Sequence, residues 1–402
     1  MGGIVIVGAG QAGASLAAKV RALGYAGAVT LVGEEPQPPY QRPPLSKAYL
    51  LGEMELERLY LRAPSFWEEQ AVTLRLSTRV EAIDTDARTL RLADGGTLSW
   101  DDLALTTGSR PRRLPAAIGG DLANVFTVRT LADVDRMAPA FRKGARAVVV
   151  GGGYIGLEAA AVAAKLGLEV TLIEAAPRIL QRVAAPETAD FFRRLHQAHG
   201  VHILEGTGLS RLTGEGAVTG AVLADGTELA ADLVVVGIGI LPNTELAEAA
   251  GIALDNGIRT DATGRTSAPH VWAAGDCASF PHGDGRIRLE SVGNAIDQAE
   301  AVAANILGAN TPYRAKPWFW SDQYDVKLQI AGLGTGYDRI VTRPGEGNAV
   351  SIWYYRGTTL LALDAMNDAR AYMIGKRLIE AGRSPEPAVI ADPASDLKAL
   401  LR

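Results

Sequence analysis

Two short glycine runs, each with an acid at a set distance behind it, are the residues best suited to chemistry in this 402-residue chain. The first is Gly8-Ala9-Gly10-Gln11-Ala12-Gly13, and Glu34 follows 21 residues past its last glycine. The second is Gly151-Gly152-Gly153-Tyr154-Ile155-Gly156, and Glu174 follows 18 residues past it. A glycine turn brings the backbone close to a pyrophosphate, which then faces the unpaired N–H groups at a helix start. An acid about 20 residues on can accept hydrogen bonds from a ribose diol. Two such constellations imply two dinucleotides, and the usual pairing is a flavin with a nicotinamide.

A glycine turn alone is weak evidence, because packing also uses it, so the flanking elements decide. They are present twice. The apolar run Ile4–Val7 precedes the first turn, Ala- and Leu-rich residues continue to Leu23, and Val29–Val32 leads to Glu34. Residues 147–150 precede the second turn, a helical stretch continues to Leu166, and residues 170–173 lead to Glu174. The two copies lie 143 residues apart, so the chain repeats one strand–turn–helix–strand unit. Runs of four apolar residues suit strands buried on both faces. Residues 103–107 and 271–274 read as further strands, ending in Thr107-Gly108 and in Gly275-Asp276. Between the first unit and the rest lies a proline-rich stretch from Pro36 to Lys47. By composition it is a stiff surface linker, but it carries Arg42 and Lys47 just after a phosphate motif, where prolines hold the cations in place.

Composition narrows the classes. Lys plus Arg number 40 against 45 Asp plus Glu, a net charge of −5, which argues against nucleic acid as the main partner. No apolar run is long enough for a bilayer, and no secretory leader is expected where a nucleotide motif begins at Gly8. The single cysteine, Cys277, can form neither an intrachain disulfide nor a CxxC pair. That fits a reducing cytoplasm, excludes the flavin disulfide reductases, and makes Cys277 a small packing residue. His196, His199 and His202 are spaced by three. The first two fall at the end of a helix that stops at Gly200 and the third begins a strand, so no metal site is expected. Asp338, Arg339 and Arg343 read as a solvated face. Residues 317–402 hold ten basic and ten acidic side chains, so no net basic charge marks a docking surface there.

Together the two glycine motifs, the Arg42-to-Lys47 loop, Thr107-Gly108, Arg129 in Val128-Arg129-Thr130, Gly237 to Asn243, Gly275-Asp276, Glu290-Ser291-Val292 and Trp318-Phe319-Trp320-Ser321-Asp322-Gln323-Tyr324 resemble the FAD-dependent ferredoxin reductases of bacterial oxygenase systems. The resemblance covers essentially the whole chain. Thr106 stands where that family often has Ala.

The resemblance implies an α/β fold like that of glutathione reductase. It has two Rossmann-type dinucleotide-binding domains and a C-terminal α+β domain. The FAD domain is split over residues 1–112 and 240–316, the NAD domain spans 113–239 and the C-terminal domain 317–402. It implies non-covalent FAD held at Gly8, Gly10, Ala12, Gly13, Glu34, Arg42, Lys47, Val80, Thr107, Gly108, Arg129, Asp276 and Val292. NADH is implied at Gly151, Gly153, Tyr154, Ile155, Gly156, Glu158, Glu174 and the turn Gly237-Ile238-Gly239. Lys47 and Glu158 are expected to face each other beside the flavin. Glu174, followed by Ala175 and Ala176, favours a ribose 2′-OH over a 2′-phosphate, with Arg178 the nearest cation.

The expected acceptor is a 2Fe–2S ferredoxin feeding a monooxygenase or dioxygenase. A flavin converts a hydride into single electrons, and one cysteine cannot supply the four ligands of an internal cluster. On their own Trp318, Phe319 and Trp320 read as core; the resemblance implies that Trp320 with Gln323 and Tyr324 offers the partner an aromatic surface near the flavin. Two alternatives are weighed. A signalling flavoprotein akin to apoptosis-inducing factor calls for an insertion or targeting segment that is not seen. An NADH oxidase or peroxidase calls for a redox cysteine near the flavin, and none lies between Pro36 and Lys47.

Overall fold

A computed structural model describes residues 2–402. The chain forms two compact units. The first contains the residues up to Gln41, Leu56–Arg110 and Ile240–Pro317; the second contains Arg42–Glu55, Pro111–Gly239 and Trp318–Arg402.

In the first unit, five parallel strands stand in the order Val271–Ala273, Asp102–Leu105, Ile4–Val7, Val29–Val32, Val72–Arg75. Their apolar runs are continuous because both faces are covered. Ile4, Ile6, Leu31, Ala104 and Trp272 belong to one buried cluster. Their neighbours Val5, Val7, Val32, Leu103, Leu105, Val271 and Ala273 belong to the cluster on the other face. This is the period of two expected of strand side chains. The helix Gln11–Ala22 buries Leu16, Ala17 and Val20 in the first cluster, beside Ala295, Ala299, Val302 and Ala303 of the helix Val292–Ile306.

The second unit repeats the plan. Its parallel strands run His202–Glu205, Glu169–Glu174, Arg146–Val150, Leu233–Val236, Val125–Phe126. The helix Tyr154–Lys165 leaves the central strand through the second glycine turn. The same unit holds a five-stranded antiparallel sheet in the order Trp318–Gln323, Val326–Gly332, Thr359–Met366, Val350–Arg356, Arg339–Pro344. Its helix Ala369–Glu380 packs Ile374 and Leu378 with Trp353 and Leu363 in one core.

This sheet is tied to the helix Pro186–Ala198 by buried polar groups. Thr188 donates to Asp364 Oδ2 at 2.7 Å, Tyr354 donates to the same oxygen, and Ala185 N donates to the Tyr354 hydroxyl at 2.8 Å. Burial pushes the Asp364 carboxyl up to about 6, against the two hydroxyls that hold it down.

Candidate functional site

The two glycine turns have the same build. Gly8 and Gly151 have φ of 116° and 106°, which glycine adopts without strain. A Cβ on Gly8 would stand 2.2 Å from Thr106 O, and one on Gly151 would stand 2.4 Å from Gly237 O. A Cβ on Gly13 would meet Gly8 O at 2.0 Å, and one on Gly156 would meet Gly151 O at 2.0 Å. So the first and last glycines of each run let turn, helix and next strand close together. The middle glycines, Gly10 and Gly153, have nothing within 4 Å of that position. They are also the N-caps of their helices, with no side-chain cap on the first N–H groups. An open approach over uncapped helix N–H groups fits a pyrophosphate in each unit. Thr106 strengthens the first turn, its hydroxyl lying 3.1 Å from Val7 O and 2.9 Å from Gly8 O.

Around the second turn, Glu174 is already oriented. Its Oε2 accepts from Gly152 N and its Oε1 from Ala176 N, both at 2.7 Å. Arg178 turns away: its guanidinium donates to Ala184 O at 2.8 Å and reaches Ile179 O and Gln181 O at 3.3 and 3.5 Å. Ile155, 45% exposed at the helix start, offers an apolar contact. The Tyr154 ring packs on Phe319 at 4.9 Å, and burial raises its phenol well above its ordinary value. Gly237 N donates to Val150 O at 2.8 Å, which draws the Gly237-Ile238-Gly239 turn against Gly151.

Lys47 and Glu158 meet. Lys47 Nζ lies 2.6 Å from Glu158 Oε2, with the two side chains 18% and 2% exposed. The lysine follows the 3-10 turn Pro43–Ser46, and its Nζ also donates to Pro43 O at 3.2 Å. Glu158 lies five residues into the helix that begins at the second glycine turn. Two hydroxyls complete its coordination: Ser46 donates to Oε2 at 2.9 Å and Ser321 to Oε1 at 2.7 Å. A buried carboxylate thus has a cation and two donors, the conditions under which a charge tolerates burial.

The remaining expected positions are placed as follows. In the first unit, Ala12 opens the helix Gln11–Ala22 and Val80 is buried at the start of the strand Val80–Asp84. Glu34 is exposed, 3.6 Å from Arg79. Thr107 Oγ1 donates to Asn243 O at 2.6 Å, and Asn243 N donates to Gly108 O at 2.9 Å. Asp276 accepts from Ser109 at 2.8 Å, and Val292 begins its helix behind the Ser291 cap. In the second unit, Arg42 donates to Arg129 O at 2.7 Å. Cys277 is fully buried, as its solitary occurrence suggested.

Two expectations are corrected. Gln323 offers no surface: it is 1% exposed. The strand Trp318–Gln323 alternates, so Trp318 and Trp320 stack at 5.5 Å on one face, while Phe319, Ser321 and Gln323 turn to the other. Arg343 is not on a solvated face. It is 8% exposed, and its guanidinium donates to the carbonyls of Ile390, Asp392, Pro393 and Ser395, clamping the C-terminal segment.

The three histidines separate as expected: His196 is inside the helix Pro186–Ala198, His199 caps it, and His202 starts a strand. Among the described residues no group of acids, histidines and cysteine has metal-site geometry. Sequence reasoning missed Ser46, Ser321 and His196, whose partners lie 111 or more positions away. Ser46 and Ser321 lie inside the Arg42-to-Lys47 and Trp318-to-Tyr324 motifs, and His196 was weighed only as a metal ligand, so nothing in the sequence singled out the bonds they make.

The profile of the pyridine nucleotide-disulphide oxidoreductases matches residues 2–299, and that of the reductase C-terminal domain matches residues 318–401. The chain belongs to the pyridine nucleotide-disulphide oxidoreductase family. It is 46% identical to a ferredoxin–NAD(P)+ reductase of a Sphingomonas species, over 98% of this chain and 96% of that protein. It is 43% identical to putidaredoxin reductase of Pseudomonas putida, over 99% and 96%. The solved covalent complex of putidaredoxin reductase with putidaredoxin superposes with a TM-score of 0.95 at 42% identity, over 100% of this chain and 98% of that one. The glutathione-reductase-like α/β fold and the cofactors FAD and NAD(P)H follow from this membership. The disulphide of the family name has no counterpart here, because Cys277 is the single cysteine.

Proposed function

We propose that this chain is an NADH-dependent ferredoxin reductase with three domains, an FAD domain split over residues 1–112 and 240–316, an NAD domain at 113–239 and a C-terminal domain at 317–402. It passes single electrons to a 2Fe–2S ferredoxin that serves a monooxygenase or dioxygenase. The balance is NADH and two oxidised ferredoxins giving NAD+, two reduced ferredoxins and a proton. Bound FAD supplies the step from a hydride to single electrons.

The observation that carries the reading is the buried Lys47–Glu158 pair on the helix that starts at the second glycine turn. Lys47 brings a held positive charge to stabilise negative charge developing during hydride transfer. Glu158 fixes Lys47 and presents a carboxylate edge to the nicotinamide carboxamide. Glu174 takes the ribose hydroxyls of NADH, and the uncapped N–H groups behind Gly153 take the pyrophosphate. In the first unit Gly8, Gly10, Ala12, Gly13, Glu34, Val80, Thr107, Gly108, Asp276 and Val292 hold FAD. The resemblance assigns Arg42, Lys47 and Arg129 to the same cofactor.

The stacked Trp318 and Trp320 are the partner's aromatic contact. The likeness to putidaredoxin reductase, solved bound to putidaredoxin, supports that choice of partner. A cytoplasmic location is part of the proposal; among the described residues no helix is long and apolar enough to cross a membrane. The purified protein is expected to be yellow and to release unmodified FAD on acid precipitation. A colourless protein that FAD does not reconstitute would refute the reading.

A further inference from the structure

Beyond Lys47 and Ser46, Glu158 ends a file of hydrogen bonds that runs through the second unit. Ser321 Oγ lies 2.7 Å from Glu158 Oε1, and Gln323 Nε2 lies 3.1 Å from Ser321 Oγ. His196 Nε2 lies 2.7 Å from Gln323 Oε1, and the Tyr324 hydroxyl lies 3.3 Å from His196 Nδ1. Ser321, Gln323 and His196 are all 1% exposed or less. None of this file belongs to the glycine turns or to the half-buried tryptophan face.

The chemistry of each member leaves one arrangement of protons. The Glu158 carboxylate, salt-bridged to Lys47, offers only acceptor positions, so Ser321 must donate to it. Ser321 then has lone pairs to offer, and Gln323 gives it an amide N–H. That turns the Gln323 carbonyl to His196, whose Nε2 must carry the proton. His196 Nδ1 is left as an acceptor, and the Tyr324 hydroxyl donates to it. Every donor points the same way, towards Glu158, and bonds aligned in series polarise one another in a buried setting. Burial lowers the His196 pKa to about 4, outweighing the Gln323 hydrogen bond that raises it, so the ring is neutral and the file does not break at neutral pH.

We infer that Ser321, Gln323 and His196 are positioning residues, a one-way hydrogen-bond file that holds the Glu158 carboxylate aimed for nicotinamide while leaving its other oxygen to Lys47 and Ser46. The inference rests on the proposed role of Glu158 in NADH oxidation. It also explains the burial of Gln323: the face of the strand Trp318–Gln323 opposite Trp320 is committed to the carboxylate. One strand therefore serves the acceptor with one face and the hydride donor's site with the other.

Two measurements on the FAD-loaded enzyme test this. The first is anaerobic stopped-flow reduction of the flavin by NADH in Ser321→Ala, Gln323→Met and His196→Met, each alone and combined with Glu158→Gln. Ser321→Ala is expected to slow reduction about 10-fold and the two remoter changes about 3-fold. In the Glu158→Gln background each is expected to change the rate by less than about 2-fold, because residues acting through one group are not additive. Full additivity in that background, with Glu158→Gln itself slow, would overturn the file and leave the role of Glu158 intact. An unchanged rate in Glu158→Gln would overturn both. The second is read on the unsubstituted enzyme: nitrogen NMR of 15N-histidine-labelled protein, with His196 assigned by the signal missing from the spectrum of folded His196→Asn. The ring is expected to stay neutral with its proton on Nε2 between pH 6 and 8. A ring that titrates near 6.5, or carries its proton on Nδ1, would overturn the inference whether or not the Ser321 and Gln323 variants fold.

Discussion

Replacing Glu174 by Ala is expected to collapse the preference for NADH over NADPH. Each carboxylate oxygen holds one backbone N–H at 2.7 Å, from Gly152 and from Ala176. A carboxylate oxygen has two acceptor positions, so one on each remains for the ribose diol. Losing a hydrogen bond to a charged acceptor costs about 1.5–3 kcal/mol, so kcat/KM for NADH should fall roughly 10- to 100-fold. A 2′-phosphate about 4 Å from the same carboxylate is opposed by about 1 kcal/mol in water and about 4 kcal/mol near a protein surface. Removing the charge relieves that, and the NADPH value should rise. Arg178 does not already reward the phosphate, because its guanidinium is turned to the carbonyls of Ile179, Gln181 and Ala184. The assay is steady-state ferricyanide reduction with each nucleotide at one ionic strength. Glu174→Gln, which keeps an acceptor oxygen, is the control for the shape of the turn and should fall between. A parent enzyme with comparable kcat/KM for both nucleotides, or a ratio that Glu174→Ala leaves within about 3-fold, would refute the assignment.

Other substitutions probe separate parts of the account. Lys47→Ala is expected to slow flavin reduction by NADH about 100-fold while FAD stays bound, as loss of a preorganised charge does; an unchanged rate would place Lys47 outside the site. Trp320→Ala is expected to lower ferredoxin reduction about 10-fold and leave ferricyanide reduction within about 2-fold, since a small oxidant needs no docking surface; equal losses would remove Trp320 from the interface. His196 also makes a prediction about stability. Burial lowers its pKa from 6.5 to about 4, so its contribution is complete above pH 6.5 and is lost as pH falls towards 4. The move from 6.5 to about 4 corresponds to at most about 3–4 kcal/mol. Asp364, raised from 3.8 to about 6, acts in the opposite sense: its contribution is complete below pH 3.8 and is lost as pH rises through 6. Urea unfolding of His196→Asn should therefore lose less stability than the parent between pH 7 and 4; an identical pH slope would contradict the neutral, buried ring.

The parallel sheets were legible because strands covered on both faces read as unbroken apolar runs, as Ile4–Val7 does. The glycine turns were legible because a Cβ on Gly13 or Gly156 cannot coexist with the carbonyl 2.0 Å away, which leaves those positions to glycine. The C-terminal α+β domain was reached by resemblance alone, through the Trp318-to-Tyr324 motif, and its antiparallel sheet was not foreseen.

Gln323 was misread because the resemblance was carried over the Trp318-to-Tyr324 motif as a block, whereas the strand's alternation sends every second residue inward. Arg343 was misread because its partners are backbone carbonyls 47 to 52 residues later, and a carbonyl has no residue identity to recognise. His196 was weighed only against its neighbouring histidines, while its partner Gln323 lies 127 positions away.

The most direct test of the central claim is double-mixing stopped flow without oxygen, in which the NADH-reduced flavoprotein meets purified oxidised 2Fe–2S ferredoxins. The account predicts two equivalents of reduced ferredoxin per NADH, formed faster than oxygen or a quinone takes the same electrons, with at least one ferredoxin of the panel. Reduction of every ferredoxin more slowly than of oxygen or quinones would contradict it and leave a diaphorase in its place.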